Sequence, residues 1–580
     1  MSEAKKVRME RLACTTIIVG KSATADGSVI VAHADDDIND GRVIFVPARK
    51  WDLNDEKEKF RNVYYDTCCD VPFDGYTSTY IRRYIGDDRG PGYQTQSEGY
   101  PASKPLGKIP QIAETYAYFD GNYGIMNEHN LMIGECTCGA KVQLEPEPGK
   151  RIFYSSELSR VALERCQTAQ EAITLIAELI RDFGFYGTGE TLLIGDSNEA
   201  WVFEMCAYDN DDPAGVWVAQ RVPDDHFFVE ANEFRIRDIY RSNEDINGVT
   251  VPEPYYVSKG SNRTVLYSKN LFAACKKNGW IEDHATHLDW LPTVSYGEYG
   301  HPYYSLRRVW RALSKVSPLS NLPSKVADGY TRDYPFSLVP GKKLSISDIA
   351  SVYRDQYEGT KFDLTVGPGA GPFGCPVRYD VNADRGVDTW NLKVYKPTGA
   401  WERPISIYRC EMLWINQAKT INNHSIGISW IGLDRPMTSC LMPFYTQIPD
   451  LPKSIQTMNL LDFKFEGNSA WWAFNFVANH INLNYAYMIQ DVTAKQKELE
   501  SSAFDKINQV LATGDTNKLE AFCASNVESV LAAWWQLATA LIVKYNDGCI
   551  TTDATHIMET IDYPKNWLKL AGFYDGPVEY

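Results

Sequence analysis

The sequence of 580 residues has no uninterrupted apolar run of about 18 residues, its longest candidates being broken by Asn, Gln or Lys. A membrane partner is therefore not expected. The opening MSEAKKVRMERLA is charged throughout and lacks the apolar stretch of about 7 to 15 residues that a secretory signal needs, which predicts a soluble, non-exported, cytoplasmic protein. Cysteine is sparse and odd in number, 13 in all, unlike a disulfide-stapled secreted scaffold, so reduced thiols are expected. Positive charge is in deficit. Lys and Arg total 58 against 75 Asp and Glu, a net charge of −17, and a surface of that sign repels phosphate backbones, which argues against nucleic acid as a partner. There is no internal repeat.

What is present is ordinary globular composition, 44% hydrophobic and 23% charged, enough for several domains or for one large core with an attached subdomain. The β-branched run Thr15 to Val19 favours a strand, Asp26-Gly27-Ser28 a turn, and Val29 to Ala32 a second strand. Together they predict an antiparallel hairpin with its loop within residues 20 to 28. With the loop centred near residue 24, Cys14 pairs near Ala34, and His33, Asp35 and Asp36 come into its neighbourhood.

Between Ser155 and Phe183 the apolar period becomes helical, with Thr168 and Glu171 as a capping box. Thr191 to Ile194 and Ala200 to Met205 flank the turn Gly195 to Asn198 and read as a hairpin. Strands, then amphipathic helices, then strands predict helices packed on sheets, an α+β fold. From about residue 345 the texture is rich in Gly and Pro. The glycines at 367, 369, 371 and 374 are followed by Cys375-Pro376 and by no Lys-Ser or Lys-Thr, so they read as turn or close-packing glycines and not as a phosphate loop. Ile405 to Leu433 is strand-like. From Asn468 on the chain reads as helical, with a capping box at Thr493 and Gln496 and a cap for the final helix at Asp515 or Thr516.

Nucleophilic catalysis by cysteine needs a base for the thiol proton and donors for the oxyanion. None of the nine histidines stands in a Cys-His arrangement, and the Cys68-Cys69 and Cys136-Thr137-Cys138 clusters lack the second ligand pair of a zinc site and read as structural thiols. Cys14 differs by position. It opens the first strand directly after a charged segment, and cleavage of the Ala13-Cys14 bond would leave it a free α-amino group with a pKa near 8 that can serve as the base. The alternative is a buried strand cysteine, a common fate for a free thiol.

The stretch CTTIIVGKSATADGSVIVAHADD (14 to 36) resembles the opening of the cysteine dipeptidases, N-terminal-nucleophile hydrolases related to secernins and more distantly to bile-salt hydrolases and penicillin V acylases. The resemblance continues in order through GIMNEHNLMIGECTC (124 to 138), YGTGETLLIGDSNEAWVFEM (186 to 205), VEANEFRIRDI (229 to 239), RRVWRAL (307 to 313), YRDQYEGTKFDLT (353 to 365), ERPISIYRCEMLWINQA (402 to 418) and SAWWAFNFVANHINLNY (469 to 485). It implies a four-layer αββα sandwich with a mainly helical C-terminal region, and a reaction that needs no metal or organic cofactor. It also implies four segments: a self-removed propeptide, 1 to 13; a catalytic core, 14 to 345; a continuation of that core, 346 to 465; and a helical region, 466 to 580.

By the same resemblance Asp36 hydrogen-bonds the nucleophile's amine, Asn232 donates to the oxyanion or orients the amine, and Thr137 falls at an oxyanion-hole position. Arg308, or Arg307 by a one-residue shift, matches an arginine near the nucleophile. His33 stands where these relatives commonly show Arg, which bears on substrate recognition, and with Asp35 it is assigned to substrate binding. The implied activity is hydrolysis of dipeptides or short peptides through a Cys14 thioester. A non-peptide amide hydrolase of the same mechanism and a non-enzymatic secernin-like interaction protein stay as alternatives. The Trp-rich C-terminal helices fit a homo-oligomer.

Overall fold

The computed structural model describes residues 14–36, 41–65, 84–93, 102–209, 211–212, 214–297, 304–378, 401–421, 424–448, 451–458, 464–551 and 558–577. Ala13 with the rest of the expected propeptide, and the Cys68-Cys69 pair, lie outside them.

The predicted hairpin forms. β1 (Thr15–Val19) and β2 (Val29–Asp35) run antiparallel, with Thr15 opposite Ala34, one residue from the expected pairing of Cys14 with Ala34. Both strands are buried along their whole length, which is why they read as apolar and β-branched rather than alternating. Gly20 ends β1 beside the chain at Asp224, where a Cβ would stand 2.4 Å from a carbonyl oxygen. No other residue fits that approach.

The next strands are β3 (Ile44–Val46), β4 (Tyr118–Asp120), β5 (Gly124–Asn127), β6 (Met132–Cys138), β7 (Gly189–Gly195), β8 (Ala200–Cys206), β9 (Val216–Val222) and β10 (Phe227–Glu230). They are followed by β11 (Tyr255–Val257), β12 (Val265–Ser268), β13 (Ser337–Leu338), β14 (Met412–Ile421), β15 (His424–Leu433) and β16 (Met442–Tyr445). Seven make one sheet in the order β13-β10-β1-β2-β14-β15-β16, and nine make a second in the order β11-β12-β9-β8-β7-β6-β5-β4-β3. All these pairings are antiparallel. β1 and β2 pack against β6 and β7, so the residues that the two hairpins turn toward each other meet between the sheets.

Helices α1 (Ser155–Arg165) and α2 (Ala169–Phe183) lie on the nine-stranded sheet, and the Thr168–Glu171 capping box opens α2 as expected. α3 (Leu306–Val316) packs on β10 and α4 (Ile346–Tyr353) on β14. In the Gly-rich segment, Gly367, Gly371 and Gly374 have φ of 82°, 64° and 66° around a short 3-10 turn, the role of turn glycines.

α5 (Ala470–His480), α6 (Tyr485–Thr513) and α7 (Thr516–Lys544) cover β15 and β16. Asp515 caps α7, accepting from the Lys518 amide at 3.1 Å. The expected helix start at Thr493 does not occur: α6 runs through it unbroken, and the Gln496 side chain, with Ser439 as its partner, is spent on tertiary packing rather than a cap. Thr516–Gly548 meets a length-and-composition criterion for a membrane span, with 39% of that window buried inside the protein. Leu519, Cys523, Val527, Val530, Trp534 and Leu541 recur at helical spacing as its buried face against α5, α6 and β16.

An ion network fixes α1 to the strands before it. Arg61 contacts Glu157 at 2.9 Å and Glu164 at 2.6 Å, Arg89 also reaches Glu157, and Arg160 joins Glu157 to Asp120 at 2.8 Å. Burial alone would raise the Glu157 carboxyl, but the three guanidinium groups outweigh it and hold it at about 2. A depressed folded-state value contributes stability above the ordinary 4.5 that is lost as the pH falls toward about 2. Glu157→Gln, which leaves buried arginines short of a partner, is expected to cost about 3 kcal/mol or more at pH 7, with the difference from wild type shrinking at pH 3. Urea unfolding at both pH values checks this.

Candidate active site

The residues singled out in the sequence converge on one place between the sheets. Cys14, 3% exposed, begins β1, and its Sγ lies 3.5 Å from Oε2 of Glu135 on β6. Burial, then the charges of Glu135, Asp35, Cys136 and Asp36, push the Cys14 thiol well above its ordinary value. As it stands in this structure the thiol is protonated at neutral pH.

Arg308 sits in the first turn of α3, fully buried, and uses all five of its N–H donors. Nη1 donates to Cys14 O at 2.7 Å and Thr15 Oγ1 at 3.0 Å, Nη2 to Ala231 O at 3.2 Å and Asn232 Oδ1 at 2.7 Å, and Nε to Tyr304 O at 2.9 Å. Burial, with Arg403 nearby, lowers its pKa to about 10, which leaves it charged at neutral pH. The neighbouring Arg307 points elsewhere, to Glu402 at 2.8 Å and onto the Phe362 ring, because successive helical residues are rotated by about 100°. Arg308 is thus the arginine at Cys14.

Asn232 follows β10 with φ of 62°, a left-handed conformation that Asn tolerates better than most residues. Its Nδ2 donates to Thr137 O at 2.8 Å and its amide to Cys136 Sγ at 3.1 Å. Thr137 donates its hydroxyl to Glu135 Oε1 at 2.9 Å. Asp36 ends the hairpin: Oδ2 accepts from Arg403 at 2.6 Å, Arg409 binds its main-chain oxygen, and Oδ1 is buried without a partner. No hydrogen bond joins Asp36 to Cys14 among the described residues, but its charge is felt at the thiol.

His33 is fully buried. Its Nδ1 accepts from the Glu135 amide at 3.4 Å, its ring stands edge-on to Trp414 at 4.3 Å, and burial lowers its pKa to about 3, so the ring is neutral. Asp35 is held by Asn122 Nδ2 at 2.8 Å. Both lie near Cys14, and each has one side already engaged.

Two clusters bring three metal-capable donors within 4.8 Å of one another, Cys14-His33-Glu135 and Cys136-Cys138-Glu230. The fold therefore supplies Glu230 to the Cys136-Thr137-Cys138 segment as a third donor that spacing did not reveal. In the first cluster the Glu135 amide takes Nδ1 of His33, which places the proton of the neutral ring on Nε2, the atom facing Glu135. In the second the Cys138 thiol donates to Glu230 at 2.9 Å. In the first cluster His33 Nε2 stays 4.0 Å from Glu135, beyond hydrogen-bond distance.

Glu135, Arg403 and Arg409 were missed as site residues by sequence reasoning. Glu135 had one available signal, an acidic residue inside the apolar strand MIGECTC, since an unpaired carboxylate is rarely buried. The two arginines had none, lying more than 360 residues from Asp36.

Comparison with known proteins agrees with the resemblance. The chain is 23% identical to a probable dipeptidase of Salmonella dublin, over 75% of this chain and 81% of that protein. It is 22% identical to a probable dipeptidase of Latilactobacillus sakei, over 86% and 87%, and 21% identical to dipeptidase A of Lactobacillus helveticus, over 82% and 83%. Among solved structures, penicillin V acylase from Agrobacterium tumefaciens aligns over 75% of this chain and 87% of its own, at 9% identity and a TM-score of 0.28, too slight a likeness to bear on the fold. The sequence pattern of Peptidase family C69 matches residues 13–498, and the chain belongs to that family.

Proposed function

We propose that this protein is a cysteine dipeptidase of the N-terminal-nucleophile type, hydrolysing amide bonds of dipeptides or short peptides. The observation that carries the reading is the convergence of Cys14, Arg308, Asn232, Thr137 and Asp36 from separate parts of the chain onto one buried locus, in a member of Peptidase family C69. The two packed sheets with helices on each are read as the αββα sandwich of that class. Residues 14 to 345 are its catalytic core, 346 to 465 a continuation of it and 466 to 580 an added helical region.

In this mechanism the Cys14 thiol first attacks the Ala13 carbonyl, and the Ala13–Cys14 C–N bond breaks to give a thioester and the free Cys14 α-amine. Water hydrolyses that thioester to release residues 1 to 13 and restore the thiol, and the amine then serves as base. The thiol proton passes to that amine as sulfur bonds the substrate carbonyl carbon; the resulting oxyanion collapses, the C–N bond breaks, and the proton leaves with the product amine. Water resolves the thioester by the reverse transfer. Asp36 Oδ1, buried and unpartnered, is suited to accept from the ammonium form of the amine. The second hydrogen of Asn232 Nδ2 and the region of Thr137 supply oxyanion donors. Arg308 holds the Cys14 carbonyl and the Asn232 amide in fixed relation and acts as a positioning residue. His33 and Asp35 form the wall of the substrate subsite.

Purified wild-type protein is expected to begin at Cys14 by intact mass and to hydrolyse dipeptides in preference to N-acyl amino acids. Cys14→Ala is expected to keep residues 1 to 13 and to lack activity. Retention of peptidase activity by that variant overturns the reading. Asn232→Gly keeps the left-handed backbone and deletes only the amide, so kcat on a dipeptide is expected to fall on the order of a hundred to a thousandfold with little change in KM. Steady-state kinetics check this.

A further inference from the structure

We propose that Glu135, with Glu190 behind it, is a further carboxyl of the catalytic centre, touching the Cys14 sulfur and governing the reactivity of its thiol. The proposal deepens the peptidase reading and rests on it only for the thiol's place in catalysis. Three observations carry it. Glu135 Oε2 lies 3.5 Å from Cys14 Sγ, within reach of an S–H···O hydrogen bond. Its other oxygen is fixed by the Thr137 hydroxyl at 2.9 Å, so the carboxyl is aimed and not merely nearby. Behind it, on β7, Glu190 takes the Tyr154 hydroxyl on Oε1, while its Oε2 is buried with no donor and meets the Glu135 carboxyl.

Two buried carboxyl oxygens in contact, with no N–H or O–H between them, require a proton of their own. Among the described residues no Lys or Arg donates to either carboxyl. The groups that face Glu135 are Cys14 and His33 from the hairpin, Thr137 on its own strand and Glu190 on β7; the Tyr154 and Ser155 hydroxyls and Cys136 face Glu190, and Asp35 acts on the Cys14 thiol. His33 is neutral, and none of the rest is a cation. The pair therefore keeps a proton at neutral pH, consistent with both carboxyls being raised, first by burial and then, for Glu135, by Glu190. A neutral Glu135 leaves the sulfur free to become a thiolate. An ionised Glu135 opposes that charge at close range. Glu190 acts through Glu135 and is a positioning residue.

The test follows alkylation of Cys14 by iodoacetamide as a function of pH, located by peptide mass mapping, on full-length wild type, Glu135→Gln, Glu190→Gln and Thr137→Val of matched N-terminus. As the pH rises into the range where the thiol titrates the pair loses its proton, and Glu135→Gln removes the charge that then opposes the thiolate, so its alkylation midpoint is expected to move toward acid by about one pH unit or more. Glu190→Gln removes the carboxyl that keeps Glu135 protonated, so its midpoint moves toward alkali. Thr137→Val withdraws the hydrogen bond that favours ionised Glu135 and shifts in the same direction as Glu135→Gln, a nearly isosteric change that covers the case in which Glu135→Gln does not fold. A merely structural carboxyl does not give opposite shifts. A Glu135→Gln or Thr137→Val midpoint that coincides with wild type, or equal shifts in the Glu135 and Glu190 variants, overturns the proposal. Opposite shifts in a protein that cleaves no peptide uphold it and overturn the peptidase reading instead.

Discussion

The centre of this molecule is organised by one guanidinium. Arg308 has five donors and five protein acceptors within 3.2 Å, drawn from the start of β1, the end of β10 and the residues leading into α3. A buried cation of that kind is costly unless every donor is met, and here every donor is met by an oxygen. Cys14 O, Ala231 O and Asn232 Oδ1 cannot drift apart without exposing Arg308 to an unsatisfied environment. A lysine has the charge but not the fork geometry, and could not span these partners.

The same logic closes the other end of the hairpin. Asp36 emerges from β2 into a pair of arginines supplied by the segment that then forms β14, and the Asp35 carbonyl accepts from the Glu411 amide at 2.8 Å. β14 lies beside β2 in full register from Val29↔Ala418 to Asp35↔Met412. The segment after residue 400 is thus structurally inseparable from the strand that carries His33 and Asp35, although the Gly-rich composition before it reads like a boundary between units.

What was legible in the sequence was local. The β1–β2 hairpin, the Thr168 capping box, the Gly195 to Asn198 turn and the Asp515 cap each depend on residues within about twenty of one another, and each formed. The Thr493 box failed because a cap motif is only a local preference, and a long amphipathic helix with Met488, Val492, Gln496 and Glu500 on its buried face overrides it. Nothing local links Cys14 to Asn232 or to Arg308, 294 residues away, so these entered only through resemblance. Spacing could not choose between Arg307 and Arg308, whereas a helix must, since one turn cannot aim both at the same carbonyl. Glu135 was passed over because an acid in an apolar strand looks like an interruption until the strand is seen to be buried on both faces.

The fate of buried acids separates the structural part of the molecule from its chemical part. Glu157 is as buried as Glu135, yet it meets three arginines, stays ionised and ties α1 to its surroundings. Around Cys14 and along the neighbouring strands the arrangement is reversed. Glu135, Glu190, Glu204 and Glu230 are all raised, burial being the first cause in each case, with Arg235 offsetting it in part at Glu204. A charged network at Glu135 would be rigid and strong, but it would place a permanent field against the sulfur that becomes negative in the proposed reaction. Carboxyls raised by burial lessen the charge beside the Cys14 sulfur, while Arg308 donates to the Cys14 carbonyl and Arg403 and Arg409 are held at Asp36. The separation of the Arg308 charge at the Cys14 carbonyl from raised carboxyls at its side chain is the electrostatic arrangement on which the proposed thiol chemistry rests.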